Sequence, residues 1–149
     1  MARLGGTASA EIDAPLADVW AVVEDVTIAP EWQGGLVAIR PLEHDAEGRP
    51  TLVESESDIK VRHVTTRVRF SYDAPSRLSW TQEKGDLKSV DGSWSLEDLG
   101  DGRTRATYTL DADPGRVLGM VIRGPVEAAA RAMLVNARPG ELKQRVEGA

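Results

Sequence analysis

For most of its length the chain alternates apolar and polar residues, which is typical of β-strands with one buried face. In one such run, Val64, Val68, Phe70 and Tyr72 share one parity, and arginines occupy the other. The same alternation predicts strands at about 7–13, 36–43, 51–59, 62–72, 77–84, 88–97 and 104–110. One side of the resulting sheet is apolar and aromatic and the other is charged, as in an antiparallel sheet with one solvated face.

Helical spacing appears in two places. After the first strand, Pro15 is suited to the first turn of a helix over about 15–26, and a second short helix is predicted at about 28–32. The last part of the chain predicts a long helix over about 114–147, because its apolar residues recur on a broad stripe. Gly124-Pro125 is expected to kink this helix without ending it.

A helix as apolar as this one must cover an apolar surface, and the aromatic face of the sheet is the surface available. We therefore predict an α+β fold in which one domain, residues 1–149, has a curved seven-stranded antiparallel sheet, two short helices and one long C-terminal helix enclosing a cavity. Acidic residues of strand 51–59 are expected to meet Arg67 and Arg69 in the next strand, in pairs whose residue numbers sum to an odd value.

Composition narrows the possible functions. The chain of 149 residues has a net charge of −6, which argues against sequence-independent binding to nucleic acid. It has no cysteine, so disulfides, thiol catalysis and thiolate metal sites are excluded. No apolar run is long enough for a signal peptide or a membrane span, and we expect a cytoplasmic protein.

Residues suited to nucleophilic or metal chemistry are scarce. His44 falls in a turn and His63 has outward parity, so neither supports a catalytic triad inside the fold. No ligand spacing predicts a metal site, and no glycine pattern predicts a phosphate loop. We expect no metal and no cofactor. The basic cluster around Arg67 is interpreted as part of a solvated, ion-paired strand pair, with nucleic-acid binding as the alternative.

The inward face carries the candidate binding residues. Buried phenol and amide groups need hydrogen-bond partners, which water or a polar ligand in a cavity would supply. Small residues on the helix leave space opposite the tryptophans. The predicted ligand-binding residues are Trp32, Ser55, Thr66, Val68, Phe70, Tyr72, Trp80, Gln82, Trp94, Tyr108, Met120, Gly124 and Ala128. Trp32 is interpreted either as a cap on the mouth of the cavity or as a core residue.

Several segments resemble a known family. They are EIDAPLADVWAVVEDV, PEW, SYDAPSRLSW, GSWSLEDLGDGRTRATYTL and the terminal ELKQRVEG. They are similar to the polyketide cyclase/dehydrase branch of the START-related superfamily, which also includes the birch-pollen-allergen proteins. The resemblance implies the helix-grip fold and a cavity under the last helix for an apolar or aromatic small molecule. The chain departs from it at Arg138-Pro139-Gly140, where a bend or break near Pro139 is expected.

These observations predict binding of a hydrophobic, aromatic or polyketide-like molecule, with Tyr72, Tyr108 and Gln82 orienting its polar groups. One alternative is a polyketide cyclase or dehydratase in which Tyr72, Tyr108 or Glu127 moves a proton. For Glu127 the competing interpretation is a surface ion pair with Arg123, four residues away. A further alternative is an interaction protein, ribosome- or chaperone-associated, that uses its surface. The sequence does not determine the oligomeric state.

Overall fold

The computed structural model describes residues 4–148. Its strands are β1 Leu4–Ile12, β2 Leu36–His44, β3 Pro50–Asp58, β4 His63–Asp73, β5 Arg77–Gly85, β6 Ser89–Gly100 and β7 Arg103–Asp113. Its helices are α1 Leu16–Glu24, a 3₁₀ helix Val26–Glu31, α2 Arg116–Val121, α3 Pro125–Arg131, a π-helical turn Ala132–Asn136 and α4 Arg138–Glu147. The predicted strands and the two short helices are therefore present, with ends that differ by a few residues.

The strands form one antiparallel seven-stranded sheet in the order β1-β7-β6-β5-β4-β3-β2. Consecutive strands from β2 to β7 pair as hairpins, and β1 forms the edge of the sheet beside β7. The helices cover the inner face of this curved sheet. The predicted fold class is confirmed, because the period-2 pattern assigns each strand one buried and one solvated side.

The register between β3 and β4 has the predicted parity. Glu54 lies opposite Arg67, so paired residue numbers sum to an odd value, and the two side chains form an ion pair of 3.6 Å. The expected partner of Arg69 was wrong, since Arg69 pairs with Glu83 on β5 and with Glu43 on β2. These exposed pairs face solvent, where each contributes little to stability.

The C-terminal helical region begins later than predicted. Asp113 remains in β7, paired with Ser89, and its side chain accepts a hydrogen bond from the N–H of Gly115. Gly115 has φ +86°, which favours glycine and separates the strand from the helix. Helix α2 therefore starts at Arg116.

The expected kink at Gly124-Pro125 is a complete break. Pro125 has no N–H to continue the hydrogen bonding of α2, and it takes the first turn of α3. Gly124 turns the chain with φ +59°. Because of this break, most of the apolar surface of α2 is left uncovered: Val117 is 80% exposed and Met120 63%.

The second interruption lies just before Pro139. The residues from Ala132 to Asn136 form a π-helical turn, in which the N–H of Ala137 donates to the carbonyl of Ala132. Helix α4 then continues with Pro139 in its first turn, where a missing N–H is tolerated. The expected bend or break near Pro139 thus takes the form of a wider helical turn.

The inner face of the sheet packs in two clusters. One lies under α1 and α4 and includes Ile12, Val19 and Trp94. The other lies under α2, α3 and the π-helical turn and includes Val64 and Ile122. The inward parity predicted for the aromatic residues is confirmed, and the space between the sheet and the helices is not completely filled.

Candidate functional site

A cavity of about 140 Å³ lies between the inner face of the sheet, the 3₁₀ helix and the C-terminal helical region. Most of its wall is aliphatic or aromatic. The predicted residues that line it are Ser55, Thr66, Val68, Phe70, Trp80, Trp94 and Tyr108. Lining residues that the sequence reasoning did not single out as ligand-binding include Gln33, Ile39, Val64, Ala112, Leu134 and Arg138.

The aromatic part of the wall is continuous. The ring centroids of Phe70 and Trp80 are 5.8 Å apart, those of Trp80 and Tyr108 5.7 Å, and those of Tyr108 and Trp94 4.8 Å. Trp80 lies across Gly92, its partner on β6, where an added Cβ would be 2.3 Å from the indole ring. The absence of a side chain at Gly92 therefore allows the indole of Trp80 to lie against the sheet.

Trp32 stands behind this wall rather than on it. Its ring centroid is 6.2 Å from that of Trp94, and it packs against the cluster under α1. It does not line the cavity, so the placement supports the core interpretation. Its indole Nε1 is buried and has no hydrogen-bond partner among residues 4–148.

Tyr72 does not reach the cavity. It lies near the end of β4, beside the start of β3, and its hydroxyl donates a hydrogen bond of 2.5 Å to the carbonyl of Pro50. The guanidinium of Arg49 lies over its ring at 4.6 Å from the centroid. Burial raises the pKa of the Tyr72 phenol, and the charge of Arg49 opposes the rise. Its hydrogen-bonding capacity is thus used by the fold.

Gln82 is also absent from the cavity wall. Its Nε2 donates to the carbonyl of Leu87 in the turn between β5 and β6. Its Oε1 is buried without a partner in the described part of the chain, and it lies over Gly85, where an added Cβ would be 2.6 Å away. The amide therefore belongs to the β5–β6 turn.

The predicted contacts from the helix were placed wrongly. Met120, Gly124 and Ala128 are all exposed and none lines the cavity. The prediction assumed one unbroken helix, and the break before Pro125 changes which residues face the sheet. Leu134, in the π-helical turn, lines the cavity instead.

Glu127 forms a surface ion pair, but not with the predicted partner. Its Oε1 accepts a hydrogen bond of 3.0 Å from Arg131, one helical turn later. Arg123 instead donates to the carbonyl of Met120. Arg123 lies before the break in the helix and Glu127 after it, so the assumed four-residue spacing does not apply.

Arg138 is the charged residue of the site that sequence reasoning missed. Its side chain is only 4% exposed, and its Nη1 donates to the carbonyl of Gly34 at 2.8 Å and to Glu141 at 2.9 Å. The other carboxylate oxygen of Glu141 accepts the N–H of Gly34. Arg138 and Glu141 together hold both polar groups of one residue in the loop before β2.

The loop can approach α4 this closely because of its glycines. A Cβ at Gly34 would be 2.8 Å from Glu141, and a Cβ at Gly35 would be 2.9 Å from Met133. Gly35 also has φ +84°. The available sequence signal was the pair Gly34-Gly35 together with an Arg and a Glu three residues apart, but only the tertiary structure brings the two segments together.

Tyr108 lies beside Arg138 on the cavity wall, with the guanidinium carbon 5.9 Å from its ring centroid. Burial raises the pKa of this phenol above its ordinary value of 10.0, and Arg138 opposes the rise. At neutral pH the group is therefore an uncharged phenol. On β3 and β4, the hydroxyls of Ser55 and Thr66, which also line the cavity, hydrogen-bond to each other at 2.8 Å.

Among residues 4–148 there is no group of three or more His, Cys, Asp or Glu side chains placed to hold a metal ion. None of the helices in this part of the chain combines the length and the apolar character that crossing a bilayer requires.

A curved antiparallel sheet, closed by a C-terminal helical region over an internal cavity, defines the helix-grip class. The family model described as "Polyketide cyclase / dehydrase and lipid transport" matches residues 12–137. The chain belongs to this family. A comparison of the sequence with curated proteins finds no match.

Solved structures share the fold at low sequence identity. A START superfamily protein from Mycobacterium smegmatis is 19% identical, with a TM-score of 0.81 and 97% of each chain covered. The protein TTHA0849 from Thermus thermophilus is 16% identical, with a TM-score of 0.80 and the same coverage. The Zhui aromatase/cyclase from Streptomyces sp. R1128 is 20% identical, with a TM-score of 0.73, over 98% of this chain and 94% of that one.

Proposed function

We propose that the protein binds a small hydrophobic, aromatic molecule in the cavity between the sheet and the C-terminal helical region. The observation that carries the proposal is a cavity whose wall is apolar and aromatic around a few polar groups, the usual composition of small-molecule sites. Binding is driven by transfer of the ligand out of water into this wall.

The volume limits the size of the ligand. A cavity of about 140 Å³ is close to the engineered apolar cavity of about 150 Å³ that accepts benzene. It is smaller than the range of about 300–1,000 Å³ that is typical for drug-sized molecules. We infer that a ligand with one aromatic ring fits the cavity as it stands, and that a polycyclic molecule either extends out of the cavity or requires the helices to move outward.

The orienting groups differ from those predicted by the sequence. Tyr108 keeps its proposed role because it lies on the cavity wall. Tyr72 and Gln82 lose theirs because neither lines the cavity, and their donor groups bind the carbonyls of Pro50 and Leu87. Arg138 joins Tyr108 as a group that can orient the polar part of a ligand.

The alternative function is that of a cyclase or dehydratase acting on a bound polyketide. The observation in its favour is the neutral phenol of Tyr108 beside the cation of Arg138, which together could donate a proton and stabilise an oxyanion. Tyr72 and Glu127 lie outside the cavity, so proton transfer by either is not supported. If the alternative holds, Tyr108→Phe slows turnover of a candidate polyketide without unfolding the protein.

A matched pair of substitutions tests binding. Val64 lines the cavity, and Val64→Phe should place a ring inside it; Val37 on β2 is 47% exposed, and Val37→Phe makes the same change at the surface. Toluene should raise the melting temperature of the wild type and of Val37→Phe but not of Val64→Phe, because binding to the native state stabilises it. Native mass spectrometry of the purified protein would reveal a retained ligand.

The proposal fails if toluene leaves the melting temperature of the wild type unchanged and no ligand co-purifies. It also fails if both variants respond to toluene as the wild type does, because filling the cavity should abolish binding there. Circular dichroism of Val64→Phe confirms that the loss of response is not a loss of fold.

A further inference from the structure

The polar groups of the cavity are unevenly satisfied. Ser55 and Thr66 on the sheet side hydrogen-bond to each other, so they need no further partner. At the α4 side, Arg138 is more than nine-tenths buried and its side chain lines the cavity. Its Nη1 donates to the carbonyl of Gly34 and to Glu141, whereas its Nε is buried with no acceptor among residues 4–148.

An unsatisfied buried donor in a cavity wall points to a ligand that supplies an acceptor. The guanidinium of Arg138 can only donate hydrogen bonds, and the hydroxyl of Tyr108 beside it can donate one. A hydrocarbon would leave the Nε of Arg138 unpaired. An oxygen atom of the ligand would instead complete a group that the fold holds in place through Gly34 and Glu141.

The charge of the site indicates which oxygen. Glu141 already neutralises Arg138 at 2.9 Å, and no other charged side chain lines the cavity in the described part of the chain. A carboxylate ligand would add an uncompensated negative charge to a buried site, which is costly. An uncharged carbonyl oxygen accepts the same hydrogen bonds without that cost.

We propose that the cavity selects an uncharged aromatic carbonyl compound with one ring, whose oxygen accepts hydrogen bonds from Arg138 and Tyr108. This inference rests on the proposed function and deepens it, since it names the ligand class and assigns Arg138 as the residue that determines specificity. The aromatic wall from Phe70 to Trp94 receives the ring.

The test compares acetophenone with α-methylstyrene, which has the same shape but a methylene group in place of the oxygen. Dissociation constants are measured by equilibrium dialysis for the wild type and for Arg138→Met. Acetophenone should bind the variant at least about tenfold more weakly, because a hydrogen bond to a charged donor is lost. The binding of α-methylstyrene should change by less than about twofold.

Three further variants address the other possible causes. Tyr108→Phe should weaken acetophenone selectively by several fold. Trp32→Phe removes an unpaired N–H that does not border the cavity and should change neither ligand. Benzoate should bind the wild type more weakly than acetophenone does. Glu141→Gln removes the negative charge that neutralises Arg138, so this variant should bind benzoate more tightly than the wild type does.

The outcomes separate the two proposals. If the wild type binds neither ligand, the proposed function fails. If α-methylstyrene binds but Arg138→Met and Tyr108→Phe change both ligands equally, only the specificity inference is overturned. If Arg138→Met binds neither ligand because its fold is lost, Tyr108→Phe decides: selective loss of acetophenone supports the inference and equal affinities overturn it.

Discussion

Two regions of the inner face place an arginine beside a tyrosine, and they differ in how completely those residues are used. In the first region, near the beginning of β3, Arg49 forms ion pairs with Asp45, Glu47 and Glu24. The hydroxyl of Tyr72 there donates to the carbonyl of Pro50. At the cavity, Arg138 has one carboxylate partner and a buried Nε without an acceptor in the described part of the chain. The first region is a saturated structural clamp, and the second keeps hydrogen-bonding capacity beside an empty space. The same residue types therefore indicate structure in one place and a binding site in the other.

The largest expected difference between the two regions is in the cost of removing the arginine. Arg138→Met should lower the free energy of unfolding by about 2–3 kcal/mol, because it removes buried charge-assisted hydrogen bonds and leaves the Gly34 carbonyl and one oxygen of Glu141 without a donor. Arg49→Met should cost much less, since Arg49 and its partners are more exposed and screened by solvent. Urea unfolding monitored by circular dichroism measures both. Equal losses would contradict the distinction between a buried and an exposed clamp.

The second prediction concerns pH. The folded-state pKa of both tyrosines is raised above the ordinary value of 10.0, first of all by burial. Their contribution to stability is therefore complete below pH 10 and is lost as the pH rises from 10 towards the folded values, by about 1.4 kcal/mol per pH unit for each phenol that ionises only on unfolding.

The chain has only two tyrosines, so phenolate absorbance reports on both. At pH 10.5 the native protein should show little of it and the urea-unfolded protein should show most of it. Tyr72→Phe and Tyr108→Phe assign the remaining signal to one region or the other. Full ionisation of either phenol in the native protein at this pH would contradict its burial.

The smallest expected effects come from the tyrosine hydroxyls. Tyr72→Phe should cost about 1 kcal/mol of unfolding free energy, because the carbonyl of Pro50 loses its donor. Tyr108→Phe should change the stability of the ligand-free protein by less, and should act on ligand binding instead. The comparison fails if Tyr108→Phe is the more destabilising of the two in the absence of ligand.

The sheet was predictable because its signal is local. The alternation from Val64 to Tyr72 identifies the buried face, and a slip of one residue would turn every side chain to the opposite face. This constraint also predicts pairs between β3 and β4 whose residue numbers sum to an odd value, and Glu54 opposite Arg67 is such a pair. The partner of Arg69 was not predictable in the same way, since its long side chain reaches carboxylates on β5 and, across β3, on β2.

The C-terminal region shows where local patterns stop being sufficient. Helical periodicity continues through Gly124-Pro125, but the pairing of Asp113 with Ser89 holds β7 in the sheet, and Pro125 starts a new helix. Contacts inferred from one unbroken helix, such as Met120 and Ala128, were therefore wrong. Arg138 was missed because its partners Gly34 and Tyr108 are distant in sequence.

The residues by themselves determined the strands, the inward aromatic face and the family, because alternation and turn residues act over a few positions. Only the tertiary structure decided that Tyr108 borders a cavity while Tyr72 does not, and that Arg138 is buried beside it. Those outcomes depend on where the 3₁₀ helix, its glycine loop and α4 meet over the sheet. Packing between distant segments depends on hydrogen bonds and contacts between residues that are far apart in the sequence, so no single stretch of the chain predicts it.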